Sequence, residues 1–461
     1  VQNVDSSSYP WYENRATELA IGATSVVNNS ACTLVRINQA AVVFTATSNS
    51  SGTSAETGRK AFEIRGTNAS NVLNVFGGDN GVAVIGETAT VLTINQDGGT
   101  LTVGTAVTLT TLAKQAGTAT INCAATTISS LSGTVTQTAG ALTTLNLNGG
   151  TGVMSGAGAL TTVNMLSGTL TVASTRGTIS TLTKTAGTAY IYTTATTGTN
   201  TAGDLTMTTG GMTTLNNTGT FQHSGSVTIG TLNQYGGTVT LTHASSVVTL
   251  LNKVAGNAYL LGSCTTSTNT AGTLVIGAGN VTALTSYAGA VSYLGTATIT
   301  AATIYGGSLE LMTGDITLLT VYDGTAVVSR AGTFVTLRQT AGTVKVLASA
   351  TELTTIDKSG GTCECFVAVT TATNEGGNLT LWTGNSTTIT GVNGYIRYNG
   401  AGTLTTVTLS NATIFDVDGG TAAMTITNLT RTDNVTFRHA TGRVTLTNPS
   451  LPTGIIKLSP I

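Results

Sequence analysis

The sequence predicts an all-β fold: a parallel β-helix, or β-solenoid, wound from a single chain in coils of about 17 residues. Three observations predict it. The first is a ruler of glycines, Gly99, Gly117, Gly133, Gly150, Gly168, Gly187, Gly203, Gly219, Gly237, Gly256, Gly272, Gly289, Gly307, Gly324, Gly342, Gly361 and Gly377, whose steps all lie between 16 and 19 residues. The second is the alternation that follows each anchor. Thr comes next (Thr118, Thr134, Thr169, Thr343), and apolar residues fall two and four places on, as in Leu170 and Val172 or Val344 and Val346. A period of 2 marks a strand with one buried face. The third is the placement of proline: Pro10, Pro449, Pro452 and Pro460 all lie outside the glycine ruler. Internal strands of a solenoid donate hydrogen bonds to both neighbours, and proline cannot.

Within one coil the anchor Gly belongs at a corner, where positive φ or close backbone approach is needed. A second apolar pair recurs eight and five residues before it, as in Leu142 and Leu145 or Leu353 and Ile356, often with Thr-Thr between. Each coil is therefore two or three short strands with corners between them. Thr and Val, stiff at Cβ, favour extended backbone, and frequent Gly disfavours helix. Equivalent strands stack about 4.8 Å apart, so seventeen coils give a rod of roughly 80 Å.

In chain order, residues 1–59 form an irregular N-terminal attachment or capping segment with Pro10 and Trp11. Residues 60–424 form the repeat domain, with Val82 and Val84 in register one coil before Gly99. Gly394, Gly402 and Gly420 are possible late anchors. Residues 425–461, where Arg431, Asp433, Arg438, His439 and Arg443 bring charge back, form a C-terminal cap or attachment tail.

Composition narrows the functional classes. Charged residues are 8% of the 461, and net charge is −1. No field for a polyanion exists, which argues against nucleic acid. No run of eighteen apolar residues predicts a membrane span. Between Gly98 and Leu309 only Lys114, Arg176, Lys184, Asp204 and Lys253 carry charge. The five cysteines, Cys32, Cys123, Cys264, Cys363 and Cys365, suit no disulfide framework and fit folding in a reducing cytoplasm. No signal peptide is visible, although the sequence opens on Val1.

Candidate chemistry is sparse. Cys363 and Cys365 take the buried strand positions held one coil earlier by Val344 and Val346, so they are expected as reduced, unligated core residues. Carboxylates that could serve as acid and base are Glu310, Asp315, Asp323, Glu352, Asp357, Glu364, Asp416 and Asp418. Asp97, Asp323 and Asp418 each precede Gly and read as turns. Glu310 and Glu364 lie three coils apart, roughly 14 Å, beyond either glycosidase geometry. Asp416 and Asp418 share a strand face without an evident partner. His223, His243 and His439 have no metal-ligand spacing, and His223 aligns with a buried position. Tyr287, Tyr305 and Tyr322, each two before an anchor, predict a stacked aromatic ladder, and Tyr235 shares the offset. Thr118 and Thr120, Thr134 and Thr136, or Thr169 and Thr171 present paired threonines outward. Their column is broken by Tyr190, Glu310, Val327, Lys345 and Glu364, which favours β-stabilising ladders over an ice-binding face. No catalytic, cofactor-binding or metal site is assigned, and no enzyme activity is expected.

The segments RGTNASNVLNV (Arg65–Val75) and GVAVIGETATV (Gly81–Val91), with the recurrent LTTL and GGT elements, resemble Thr/Gly-rich solenoid proteins of tailed-phage and prophage virion gene clusters. The resemblance covers roughly residues 60–424. It implies a capsid-decorating or fibre-like protein at a virion surface, folded in the host cytoplasm, contacting the major capsid protein or other virion proteins. By analogy with long viral β-helices it implies a homotrimer. The alternatives are a bacterial surface adhesin or surface-layer protein, and then a spike that binds or cleaves a cell-surface glycan.

Overall fold

The computed structural model describes residues 93–450, apart from 330–331, 349–352, 385, 433 and 441, together with the backbone of seven strands between 24 and 96. The Trp11 segment, Cys32, Glu352 and residues 451–461 lie outside the described residues. All described secondary structure is strand. The chain divides into two compact units, Val1–Thr228 and Ile229–Ile461.

Both units are built from the same coil, a parallel β-solenoid turn of two strands. A long strand leads to the anchor corner and a four-residue strand leaves it. In the first unit Leu142–Leu147 is followed by Thr151–Met154, and Leu160–Met165 by Thr169–Val172. In the second, Val281–Ser286 is followed by Ala290–Tyr293, and Leu353–Lys358 by Thr362–Cys365. Long strands pair with long and short with short, always in parallel. Leu145 lies against Ile128 and Val163 in the first unit, and Val344 against Ala326 and Cys363 in the second.

The short strand alternates strictly, its second and fourth residues buried. The long strand does not. Its first, fourth and sixth residues face inward, so two consecutive residues face out after the first. The Thr-Thr pairs fill this place. The register steps over the first Thr, pairing Ala125 with Leu142 and then Thr127 with Thr144. The pair thus marks a break in the period of 2. Inward Leu, Val and Ile are fully buried along both units, each stabilising by about 1.5–3 kcal/mol.

The anchors behave as expected, with one exception. Gly117, Gly187, Gly256 and Gly342 have φ of 81°, 81°, 80° and 72°. A Cβ on any of them would strike the carbonyl oxygen of the preceding anchor. That oxygen accepts from the residue after the anchor: Thr118 N donates to Gly99 O at 2.8 Å and Thr343 N to Gly324 O at 2.8 Å. Gly219 has no positive φ. Asn217 sits 17 residues beyond its equivalent Asn200, whereas Thr220 pairs with Asp204 only 16 residues earlier, so this corner is one residue shorter. Gly394 is a further anchor, with φ 84° and its site for a Cβ against Gly377 O.

Parallel pairing is present on both sides of residues 60–424. Val43 lies against Val72 in the first unit, and Met424 against Val444 in the second. Gly81–Val84 pairs with Thr100–Val103 so that Val82 meets Leu101 and Val84 meets Val103, the register expected from sequence.

Candidate functional site

Inside the coil, three residues before each anchor, runs a column that the sequence analysis did not single out. In the first unit it contains Gln96, Lys114, Ser130, Lys184, Asn200 and Asn217. In the second it contains Gln234, Lys253, Asn269, Ser286, Gln339, Lys358 and Asn374. All are at most 2% exposed. Polar side chains occur here because the corner turns its backbone carbonyls inward, and a buried carbonyl without a donor costs about 1–3 kcal/mol. Each lysine ammonium donates to the carbonyl just before the next anchor: Lys114 to Ser132, Lys184 to Ala202, Lys253 to Ala271 and Lys358 to Gly376. Three of them also reach an asparagine one coil on. Lys184 Nζ lies 3.0 Å from Asn200 Oδ1, Lys253 Nζ 3.0 Å from Asn269 Oδ1, and Lys358 Nζ 3.3 Å from Asn374 Oδ1. Glutamines span two coils: Gln339 Nε2 donates to Gly342 O and Thr362 O, both at 2.9 Å.

Burial pushes all four lysines from 10.5 down to about 8. Around Lys184 the one charged neighbour that counters this is Asp204, and around Lys358 it is Cys363. Four of the five charges between Gly98 and Leu309 are therefore interior, since Arg176 is also buried. Arg176 donates to Gly140 O at 2.9 Å and to Gln137 Oε1 at 2.6 Å, two coils back. Only Asp204 remains exposed in that stretch. The signal was available in sequence: lysines at a fixed offset of three before an anchor fall on the inward face of a strand.

The opposite corner is closed in the same manner. His223 is 1% exposed, with Nδ1 3.0 Å from Gly225 O and Nε2 3.1 Å from Gly210 O. It is a satisfied core histidine, as its alignment implied. Tyr293 and Tyr398 donate to Gly279 O and Gly384 O. Burial raises both phenols above their ordinary value.

The sequence-predicted candidates fall as follows. Cys363 and Cys365 are fully buried free thiols with sulfurs 3.6 Å apart, and the hydrogen bond between them, then burial, raises Cys365 well above its usual value. Burial pushes Cys123 up to about 11 and Cys264 up to about 12. Glu310 and Glu364 stay on the outward short-strand column, three coils apart. Asp323 Oδ1 accepts from Gly324 N at 2.7 Å as a turn residue. Asp315 Oδ1 accepts from Thr333 N at 2.7 Å. Asp357 lies beside Arg338 in register. Asp416 has partners the sequence did not reveal: Tyr395 Oη donates to Oδ2 at 2.5 Å, and the Asp418 amide donates to Oδ1 at 2.9 Å. Burial first, and then this bond, raises the Tyr395 phenol. Among the described residues no group of three or more His, Cys, Asp and Glu side chains is placed to hold a metal ion.

Outward-facing aromatic and charged residues gather in the second unit. Tyr287, Tyr305 and Tyr322 stack with centroids 5.1 and 4.8 Å apart and planes within 8°. Their faces are spent on one another, while their edges are exposed. Across the short strands, Phe366 and Trp382 stack at 5.5 Å. Lys345 caps the Phe366 ring at 5.5 Å and Arg397 caps Trp382 at 5.8 Å. The outward column Lys345, Glu364, Thr380, Arg397, Asp416 and Arg438 runs beside this stack, one residue per coil.

Comparison with protein-family models, curated proteins and solved structures gives no match. No helix among the described residues is long and apolar enough to cross a membrane.

Proposed function

We propose that the chain is a non-enzymatic structural protein of a phage-like particle, a capsid decoration or fibre, that associates with copies of itself and with the major capsid or other virion proteins at the virion surface. The observation that carries this reading is where the reactive side chains go. Lys184, Lys253, Lys358, His223 and Arg176 are spent on closing coil corners, and Cys363 and Cys365 are core packing. A repeated coil whose polar groups complete its own backbone supplies length and surface. The resemblance of Arg65–Val75 and Gly81–Val91 to virion solenoids supports the particle assignment. A glycan platform has less support, because a sugar stacks on an open ring face and those of the Tyr287–Tyr305–Tyr322 ladder are mutually covered.

The test is density-gradient banding of particles from cells expressing the full chain, followed by immunogold labelling. The expected result is co-banding with capsids and label on their surface. Label confined to the envelope of particle-free cells would replace this reading with a bacterial surface adhesin.

A further inference from the structure

The outward column of the second unit has a symmetry that its fold does not require. Read one coil at a time it runs Lys345, Glu364, Thr380, Arg397, Asp416. Reversed about Thr380, each charge meets its opposite: Lys345 meets Asp416, and Glu364 meets Arg397. Neighbours in the column also differ in sign, and cross-strand pairing within one chain accounts for that. It does not account for the reversal symmetry.

We propose that two copies of this chain pair face to face and antiparallel through the short-strand face of the second unit. The two-fold axis would run along the strand Asn378–Leu381. A rotation about that line reverses coil order and keeps each column facing itself. Glu364 then meets Arg397 of the second copy one coil from the axis, about 4.8 Å along the solenoid, and Lys345 meets Asp416 two coils away. Trp382 lies on the axis line next to the strand, stacked between Phe366 and Arg397 and so held rigid. A rigid aromatic at the centre with charge pairs around it is the anatomy of a specific interface.

Parallel packing, two-fold or three-fold, lacks this match. A two-fold along the solenoid axis sets Lys345 against Thr343 and Arg397 against Tyr395, so no opposite charges meet. From Val327 to Arg438 the overlap is seven coils, about 34 Å by 20 Å, or roughly 700 Å² on each copy. That is near the ~800 Å² per partner of a standard stable interface. The inference rests on the self-association in the proposed function and replaces the three-fold implied by the resemblance.

The experiment is sedimentation equilibrium on the full chain and three variants, with circular dichroism and thermal melts to confirm folding. The intact chain is expected to be a dimer. Glu364→Arg and Arg397→Glu each create two like-charge contacts across the axis and should raise the dimer dissociation constant about tenfold or more. The double swap, Glu364→Arg with Arg397→Glu, should bring it back to within about threefold of the intact chain. Within one copy the swap improves nothing, because it sets a second positive charge beside Lys345 and a second negative charge beside Asp416; rescue can come only from the second copy. A monomer, a trimer, unaffected single variants or a swap without rescue would each overturn the pairing. The pairing can fail while particle banding succeeds, and the reverse, so the two readings are separable.

Discussion

The two units share one interior and differ in what they wear outside. In the first, described outward positions are Thr, Ser and Asn, linked along the stack by bonds such as Asn164 Nδ2 to Asn146 Oδ1 at 2.9 Å, and the exposed charge between residues 98 and 228 is Asp204 alone. In the second, the same positions carry a tyrosine ladder, a Phe–Trp stack and a row of alternating charge. Even the long-reach arginines correspond: Arg176 donates to Gly140 O, and Arg443 donates to Ala422 O and Gly400 O. Inward positions answer to the coil and are constrained alike, whereas outward positions are free to diverge. Recognition is therefore sought on the exterior of the second unit.

The sharpest break should come at the anchors. Gly342→Ala forces a Cβ into Gly324 O at positive φ, and a cost of about 3 kcal/mol or more is expected. Gly177→Ala has no neighbour nearer than 3.5 Å and no positive φ, so it should be neutral or stabilise by up to about 1 kcal/mol. Chemical denaturation of both variants checks the contrast.

Next in size are the interior clips. Asn200→Ala strips Lys184 of one acceptor and leaves Asn217 Oδ1 and Thr220 O without their donor. A loss of about 2–4 kcal/mol follows. Asn269→Ala should cost the second unit a similar amount, since Lys253 and Ala288 O lose the same contacts. Unequal losses would show that the interiors are not equivalent.

The lysines also set a pH response. Their folded value of about 8 lies below the unfolded 10.5, so between these limits the unfolded chain holds more protons. Stability should rise as pH goes from about 8 to about 10.5, before tyrosine ionisation intervenes. Thermal melts across that range test the sign, and Lys184→Met should flatten the rise.

How much of this was legible in the sequence follows from which residues vary. Gly, Thr and the apolar pairs repeat at fixed offsets, so fold, register and the Tyr287–Tyr322 stack could be read directly. The polar column could not be read from composition, because Lys, Asn, Gln and Ser alternate there with Leu147 and Met165, and hydrophobic patterning treats them as surface. Asp416 looked unpartnered because Tyr395 is one coil away and 21 residues earlier. The short Gly219 corner was hidden because its glycine keeps the ruler while its backbone does not.

The smallest expected effects lie outside. Tyr305→Ala removes two ring contacts and should cost about 1–2 kcal/mol. Thr171→Val, on the neutral exterior of the first unit, should stay within about 0.5 kcal/mol.

The central claim is that the interior makes the fold and the second unit's exterior makes the partner contact. Its most direct test gives the second unit the first unit's surface, replacing Lys345, Glu364, Trp382 and Arg397 together with Thr in the full chain and measuring sedimentation beside thermal melting. The account predicts a melting temperature within about 5 °C of the intact chain and loss of self-association. Association that survives the four replacements, or a fold that collapses with them, would contradict it.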